Sequence, residues 1–179
     1  DLCVVRFYED GSFSEVVGAT YKVLNSQGVD AYATADIQGD LLEARIFRRG
    51  GEVLEPTLLG DSNTLTFPGV EEGAIVDYRY RAQTRGADPF QFVLPTFFFQ
   101  DFRYDAPFLL SRYVVIAPKS LDLKYVERQM PQGAKVSEEG GLRTLIWEVR
   151  KSPRIEQERF MPDIGAALPS DRFTVGLQE

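Results

Sequence analysis

The sequence predicts an all-β protein: an antiparallel β-sandwich of about ten strands with little helix. Many segments alternate between apolar and polar residues, as in a strand with one face in a core and one in water. Gly- and Pro-containing turns separate these segments, and no helical period extends beyond two turns. The clearest segment is residues 65–81, where Val76, Tyr78 and Tyr80 alternate with charged residues.

The first half of the chain gives several such strands in order. A turn at residues 9–12 joins the first strand to the second, and Gly50-Gly51 is typical of a two-residue hairpin. Residues 29–40 are weakly patterned and are interpreted as a strand followed by a turn at residues 38–40. The apolar phases of the first two strands are Cys3, Val5 and Phe7, and then Val17, Ala19, Tyr21 and Val23.

The second half predicts three longer strands and a change of character after residue 151. Residues 109–116 are mostly apolar, so we expect that strand to be covered on both faces. The other two strands have apolar phases at Leu121, Leu123 and Tyr125, and at Leu145, Trp147 and Val149. We therefore predict a sandwich domain over residues 1–151. Residues 152–179 are an extended tail or linker toward a downstream domain, or open with a short helix from Ser152-Pro153 to Arg159.

Composition bears on several classes of function. The chain has 179 residues, with 20 Lys and Arg against 27 Asp and Glu, so its net charge of −7 disfavours nucleic-acid binding. No apolar run approaches the roughly 20 residues that a membrane span needs. There is one Cys, which allows no internal disulfide, and no His, the commonest metal ligand and general base. We expect no catalytic residue, no metal and no cofactor.

Phenylalanines are concentrated in one segment. Seven of the chain's 13 Phe lie within residues 90–108. They could fill the space between two sheets, form an interface with a following domain, or form a platform for a ligand. Because residues 97–99 are consecutive, at least one of the three rings should point away from the core. The candidate binding residues are Phe97, Phe98, Phe99, Phe102 and Tyr104.

Charged residues form three further patterns. The pairs Glu71-Glu72 and Glu138-Glu139 invite an acid–base interpretation, but each pair adjoins Gly and is more typical of a solvated turn. A calcium site could draw on Asp36, Asp40, Glu43 and Asp61, although they are not spaced like a calcium-binding loop. The remaining charges predict cross-strand ion pairs on a wet sheet face: Glu43 and Arg45 with Asp77, Arg79 and Arg81.

Several segments together resemble a known family. They include residues 21–28, residues 42–45 with the turn at residues 50–51, the Phe-Pro-Gly-Val-Glu-Glu-Gly run at 67–73, residues 76–80, and Met161-Pro162. In this order they resemble the bacterial domain of unknown function that precedes transglutaminase-like domains. The resemblance implies a β-sandwich in a secreted, periplasmic or membrane-attached parent protein that carries a papain-like domain further along.

That neighbouring domain would need a Cys nucleophile activated by His, and this chain has no His to activate Cys3. The sequence therefore predicts a non-catalytic module that docks or positions a downstream transglutaminase-like or scaffold domain. Its partner would be that domain or another envelope protein, in the periplasm or cell envelope. One alternative is a carbohydrate- or peptide-binding module that uses the Phe-rich surface. Another is a stand-alone hydrolase, which would need an inward-facing pair of carboxylates in a cleft.

Overall fold

A computed structural model describes residues 1–60, 62–85, 92–93, 96–100, 106–155 and 168–177. The chain forms two compact units: unit 1 is Asp1–Phe13 with Thr84–Glu179, and unit 2 is Ser14–Gln83. The predicted all-β class is confirmed, with fifteen strands and one six-residue helix among the described residues. The elements are β1 Leu2–Phe7, β2 Phe13–Lys22, α1 Ser26–Ala31, β3 Thr34–Asp36, β4 Asp40–Phe47, β5 Val53–Leu54, β6 Thr57–Leu58, β7 Thr64–Thr66, β8 Ile75–Thr84, β9 Phe92–Val93, β10 Phe97–Phe98, β11 Phe108–Pro118, β12 Leu121–Arg128, β13 Lys135–Glu139, β14 Leu142–Ser152 and β15 Ser170–Leu177.

Unit 1 is built from two layers of strands. The larger layer runs β13-β14-β11-β1, and the smaller runs β10-β15-β12, with β9 also paired to β15. Among the described residues, the strands of these layers pair antiparallel, except that β1 pairs with β11 in parallel. A parallel pair needs a long connection, and β1 and β11 lie about a hundred residues apart in sequence.

The core of unit 1 lies between these layers. Ring contacts join Phe97 on β10 to Tyr113 on β11, and Tyr125 on β12 to Trp147 on β14. The inward phases follow the period of two, as predicted for the first strand. The buried residues of these phases include Cys3, Val5, Phe7, Tyr113, Val115, Leu121, Leu123, Leu145, Trp147 and Val149.

The outer face of β11 is less covered than predicted. Leu110, Val114 and Ile116 are only half-buried, so this strand is not fully covered on both faces. An apolar strand in a twisted sheet can be apolar on both phases while only one phase meets the opposing layer. The outer phase of β11 therefore belongs to a partly accessible surface of the larger layer.

Unit 2 has its own core. One group of strands runs β2-β8-β4-β5, and a second runs β3-β7-β6. The predicted face of β8 is confirmed, since Val76 is buried and Tyr78 and Tyr80 pack against the core. The core comprises Val23, Ile37, Ile46, Leu65, Phe67, Ala74 and Val76.

Helix α1 replaces part of the weakly patterned region. The side chain of Asn25 accepts a hydrogen bond of 2.9 Å from the backbone N–H of Gly28, which satisfies one of the free donors at the helix start. The helix ends at Ala31, with Tyr32 as its C-cap, and the predicted strand begins only at Thr34. A helix of this length is too short to show a readable period of 3.6.

Residues 170–177 correct the prediction of a tail over 152–179. They form β15, which pairs with β12 along its whole length, from Leu121 with Leu177 to Arg128 with Ser170. Ser152 ends β14 and is buried. The alternative of a helix reaching Arg159 falls on residues outside those described. Part of the segment predicted as a linker is thus a structural strand of unit 1.

Candidate functional site

The three consecutive phenylalanines occupy different environments. Phe99 is fully buried and Phe97 is half-buried, whereas Phe98 is 42% exposed. This confirms that at least one ring points away from the core. Phe102 and Tyr104 lie outside the described residues. Among the described candidates, Phe98 is the most exposed.

Phe97 and Phe99 belong to a network of rings between the two layers. Phe97 stacks on Tyr113, with ring centroids 4.6 Å apart and planes within 3°, and meets Phe99 edge-on at 4.8 Å. Tyr113 in turn lies 6.0 Å from Trp147, its partner in register across β11 and β14. Such contacts add to the free energy of burying the rings. Phe97 and Phe99 are therefore primarily core residues.

The indole of Trp147 reaches a carboxylate at the end of this network. Its Nε1 donates a hydrogen bond of 2.7 Å to Oε1 of Glu127 on β12. The same oxygen accepts 2.9 Å from the backbone N–H of Ala134. Glu127 shares the inward phase of Leu121, Leu123 and Tyr125, yet its own side chain is exposed. A negative charge thus lies at the solvent-facing edge of the space between the layers.

Asp171 lies next to Glu127, on the middle strand of the smaller layer. On β15 it pairs in register with Glu127 on one side and with Phe97 on the other, so the three side chains share a face. Asp171 is 0% exposed, and neither carboxyl oxygen has a hydrogen-bond partner among the described residues. Burial, and then the negative charge of Glu127, raise the pKa of Asp171 to about 7.

This carboxyl pair was not predicted from the sequence. A signal was present, because Phe173, Val175 and Leu177 repeat every second residue and Asp171 lies in the same phase. Glu127 likewise continues the apolar phase of β12. A carboxylate in the apolar phase of a strand is unusual and points to a special role or a special partner. Assigning residues 152–179 to a tail removed Asp171 from consideration.

A second feature lies on the outer face of the larger layer. In register across β1, β11 and β14, Val4 lies beside Val114, and Val114 beside Ile146. We call the aliphatic patch the five half-buried residues Leu2, Val4, Val114, Ile116 and Ile146.

Charges and a shallow depression border the aliphatic patch. The guanidinium of Arg112 lies 2.5 Å from Glu148, which also binds Arg150 at 2.6 Å. These contacts hold the pKa of Glu148 below its usual value, first through the hydrogen bond from Arg112. An open pocket of about 220 Å³ lies alongside, lined in part by Ile146, Glu148 and Arg150. An apolar centre with a charged rim is the usual composition of a protein interface.

The other carboxylates make ordinary surface contacts. Glu71 pairs with Arg48 at 2.9 Å, and Glu138 pairs with Lys119 at 2.8 Å, so in each case a basic partner lowers the pKa of the acid. Glu43 lies 2.8 Å from Arg45 on its own strand and 4.0 Å from Arg79 across β8, in keeping with the predicted cross-strand pairing.

The suggested calcium ligands do not form a cluster among the described residues. Asp36 accepts a hydrogen bond from Thr64, and Glu43 is engaged by Arg45. Asp61 lies outside the described part of the chain. Within that part, no three or more His, Cys, Asp or Glu side chains are grouped so that they could hold a metal ion.

Comparisons with known proteins identify a family and a solved structure of similar fold. A family model described as a domain of unknown function with a solved structure, DUF3857, matches residues 62–156, which is just over half of the chain. A crystal structure of a putative protease from Parabacteroides distasonis has the same fold, with a TM-score of 0.80 at 15% identity. That match covers 97% of this chain and 39% of the other, so this chain spans well under half of that protein's length.

No curated protein sequence matches the chain. Within the described residues, the one helix is far shorter than a membrane crossing requires.

Proposed function

Because this chain belongs to the DUF3857 family, a family of unknown function, we propose that it is a non-catalytic β module that packs against a further domain of the same polypeptide and positions it. The further domain would be transglutaminase-like, with a papain-like fold, or a scaffold domain, in a bacterial periplasmic or cell-envelope protein. The proposal keeps catalysis in that neighbouring domain, where a Cys and a His could be paired.

The aliphatic patch is the observation that carries this proposal. Five aliphatic side chains lie together on one sheet face, and each keeps part of its surface accessible. Burying apolar surface contributes about 25 cal/mol per Å². The charged rim of Arg112, Glu148 and Arg150 would orient a partner, since complementary charge adds specificity more than affinity.

We propose a partner domain in the same polypeptide because a longer protein contains the same fold. In the Parabacteroides protein the shared fold accounts for 39% of the chain, so there it is accompanied by much more polypeptide. A domain joined by a linker meets its neighbour at an effective concentration in the millimolar range. A patch of modest size is then sufficient for stable packing.

The buried carboxyl pair does not favour a hydrolase. A glycosidase-type mechanism needs two carboxyl groups that both contact the substrate and leave room for water. Asp171 is completely buried, and its partner Glu127 is already engaged by Trp147 and Ala134. In this closed arrangement the two acids do not both face a cleft, which acid–base hydrolysis of a substrate would require.

The test measures, by calorimetry, the association between the 179-residue chain and the domain that follows it in its parent protein. We expect saturable binding that Val114→Asp and Ile146→Asp each weaken by about tenfold or more, because either change puts a charge into the apolar contact. Val136→Asp is the matched control, since Val136 is 54% exposed on β13 of the same layer but lies in the opposite phase.

Two results together would overturn the docking proposal: the absence of binding in trans, and unchanged stability and activity of the parent protein when this module is deleted. Equal weakening by Val136→Asp would also count against the aliphatic patch as the contact. Each variant should be checked for cooperative unfolding, so that loss of binding is not confused with loss of fold.

A second candidate function is a carbohydrate- or peptide-binding module, and Phe98 is the observation that favours it. Phe98 is 42% exposed on β10, a strand of two residues at the edge of the smaller layer. An exposed ring can stack on a sugar, and an edge strand can pair with an extended peptide. A glycan array and a peptide library screened with the wild type and Phe98→Ala would test this function. Binding that is equal in both proteins, or absent from both, would remove it.

A further inference from the structure

We propose that the space beside Asp171 and Glu127 is a binding site for a guanidinium group, held by the two carboxylates and lined by the rings of Phe97, Trp147 and Tyr125. This site lies between the two layers of unit 1, on a different face from the aliphatic patch. It does not depend on the docking proposal, and either could hold without the other.

The register of the smaller layer places the groups together. Phe97, Asp171 and Glu127 are consecutive partners across β10, β15 and β12. From the opposite layer, Trp147 donates to Glu127 and meets Tyr125 edge-on, with ring centroids 5.2 Å apart. Two acids and three aromatic rings therefore line the same end of the space between the layers.

The state of Asp171 points to a missing cation. Both of its oxygens are buried without a hydrogen-bond donor among the described residues, and its nearest recorded charge is another acid. Leaving a buried carboxylate without a partner costs several kcal/mol. Among the described residues, no Lys or Arg forms an ion pair with either member of the pair. A ligand that supplies positive charge and donors would remove this cost.

Guanidinium fits these groups better than a metal ion or an ammonium group. A hard metal ion needs six or more oxygen ligands, and the described residues offer no group of three acids here. A guanidinium can donate two parallel hydrogen bonds to the two free oxygens of one carboxylate, and its flat face packs against aromatic rings. An ammonium group has neither the fork geometry nor the flat face.

The route to Asp171 begins at Glu127. Glu127 is exposed, Tyr125 is 38% exposed, and Phe97 is only half-buried, so this end of the space borders solvent. Asp171 itself is covered, and ligand entry requires a local shift. Strand β10 pairs with β15 through two residues, and the backbone N–H of Phe99 donates to the carbonyl of Pro169, so entry requires this short edge strand to shift together with its buried ring contacts.

Trp147 provides a direct signal for the test, because it is the single Trp of the chain and contacts Glu127. The 179-residue protein is titrated at pH 8 with methylguanidinium at millimolar concentrations, against sodium chloride at equal ionic strength. We expect a saturable change in tryptophan emission. Asp171→Asn should weaken the apparent affinity by about tenfold or more, while Asp122→Asn on β12 should leave it unchanged.

The source of the guanidinium is decided by two further ligands. Tighter binding of an acetyl-Gly-Arg-Gly-amide peptide than of methylguanidinium identifies an arginine side chain of a polypeptide as the natural occupant. Weaker binding of the peptide identifies a free small molecule. Glu127→Gln removes the charge of the second acid. It keeps an acceptor for Trp147, so it should fold even if Asp171→Asn does not.

Three results would overturn the proposal: no saturable change with the wild type, equal affinity for Asp171→Asn, or equal affinity for methylammonium. None of these depends on whether the aliphatic patch binds a neighbouring domain.

Discussion

Trp147 and Glu127 link the two layers of unit 1 through a hydrogen bond of 2.7 Å from the indole Nε1 to Oε1 of the carboxylate. The indole is completely buried, whereas the acid lies at the edge of the core. Glu127 also binds the backbone N–H of Ala134, just before β13. One side chain therefore satisfies a buried donor and fixes the path of the chain into the next strand.

Removing this acceptor should destabilise the protein. Glu127→Ala leaves the indole N–H buried without a partner, so we expect the free energy of unfolding to fall by about 1–3 kcal/mol. Glu127→Gln keeps an acceptor oxygen and should cost less than about 1 kcal/mol. Urea denaturation measures both values. Glu139→Ala on the exposed strand β13 is the control, and a loss for it equal to that of Glu127→Ala would contradict the assignment.

Asp171 predicts an unusual dependence of stability on pH. Its pKa is raised to about 7, first by burial and then by Glu127. The folded protein therefore holds this proton more tightly than the unfolded chain does. The resulting stabilisation is complete below the unfolded pKa near 4 and is lost as pH rises through about 7. Between pH 5 and pH 8 we expect the free energy of unfolding to fall by about 2–3 kcal/mol.

No imidazole titrates in this pH range, because the chain has no His; burial lowers the pKa of the N-terminal amine, which makes stability rise with pH, so the comparison with Asp171→Asn isolates the carboxyl. Asp171→Asn should abolish the fall and leave the variant more stable than the wild type at pH 8. Asp122→Asn should retain the fall. Urea titrations at pH 5, 6, 7 and 8 measure the effect, and an unchanged slope in Asp171→Asn would show that another group is responsible.

Replacing Phe98 and replacing Phe99 should have very different effects on the free energy of unfolding. Phe99→Ala empties a fully buried position and should cost about 3–5 kcal/mol. Phe98→Ala removes a ring that is 42% exposed and should cost less than about 1.5 kcal/mol. Thermal or urea unfolding of both variants tests the alternation. Similar losses for the two would contradict the assignment of Phe98 to the surface.

Gly39 should be the least replaceable glycine of unit 2. It has a φ of +113°, and a Cβ there would lie 2.3 Å from the backbone oxygen of Arg81. Gly39→Ala therefore combines backbone strain with a clash and should cost about 2–4 kcal/mol. Gly51 has a φ of +88° with no atom within 4 Å of the added Cβ, so Gly51→Ala should cost about 1 kcal/mol. Equal losses would show that the loop before β4 adjusts freely.

Local pattern was sufficient for much of the fold. The burial of Cys3, Val5 and Phe7, and of Val76 on β8, follows directly from a period of two. The consecutive placement of Phe97, Phe98 and Phe99 likewise predicted one ring outside the core. These features depend only on neighbouring residues, which is the information that a single sequence contains.

Features that depend on distant residues were not predictable in the same way. The parallel pairing of β1 with β11 joins strands about a hundred residues apart. The register of Asp171 with Glu127 was equally hidden, because it requires knowing that β15 pairs with β12. The aliphatic patch depends on both kinds of information, since alternation gives its phase but register brings Val4 beside Val114.

Strand β15 comes last in the described sequence but occupies the middle of its layer, with β12 on one side and β9 and β10 on the other. During translation β12 leaves the ribosome about forty residues ahead of β15, with no strand beside it in that layer. The nascent chain must therefore carry the open edges of β10 and β12 until β15 is made, a state prone to misassembly. Unpairing β15 from β12 in the finished protein should open the same edge of β12.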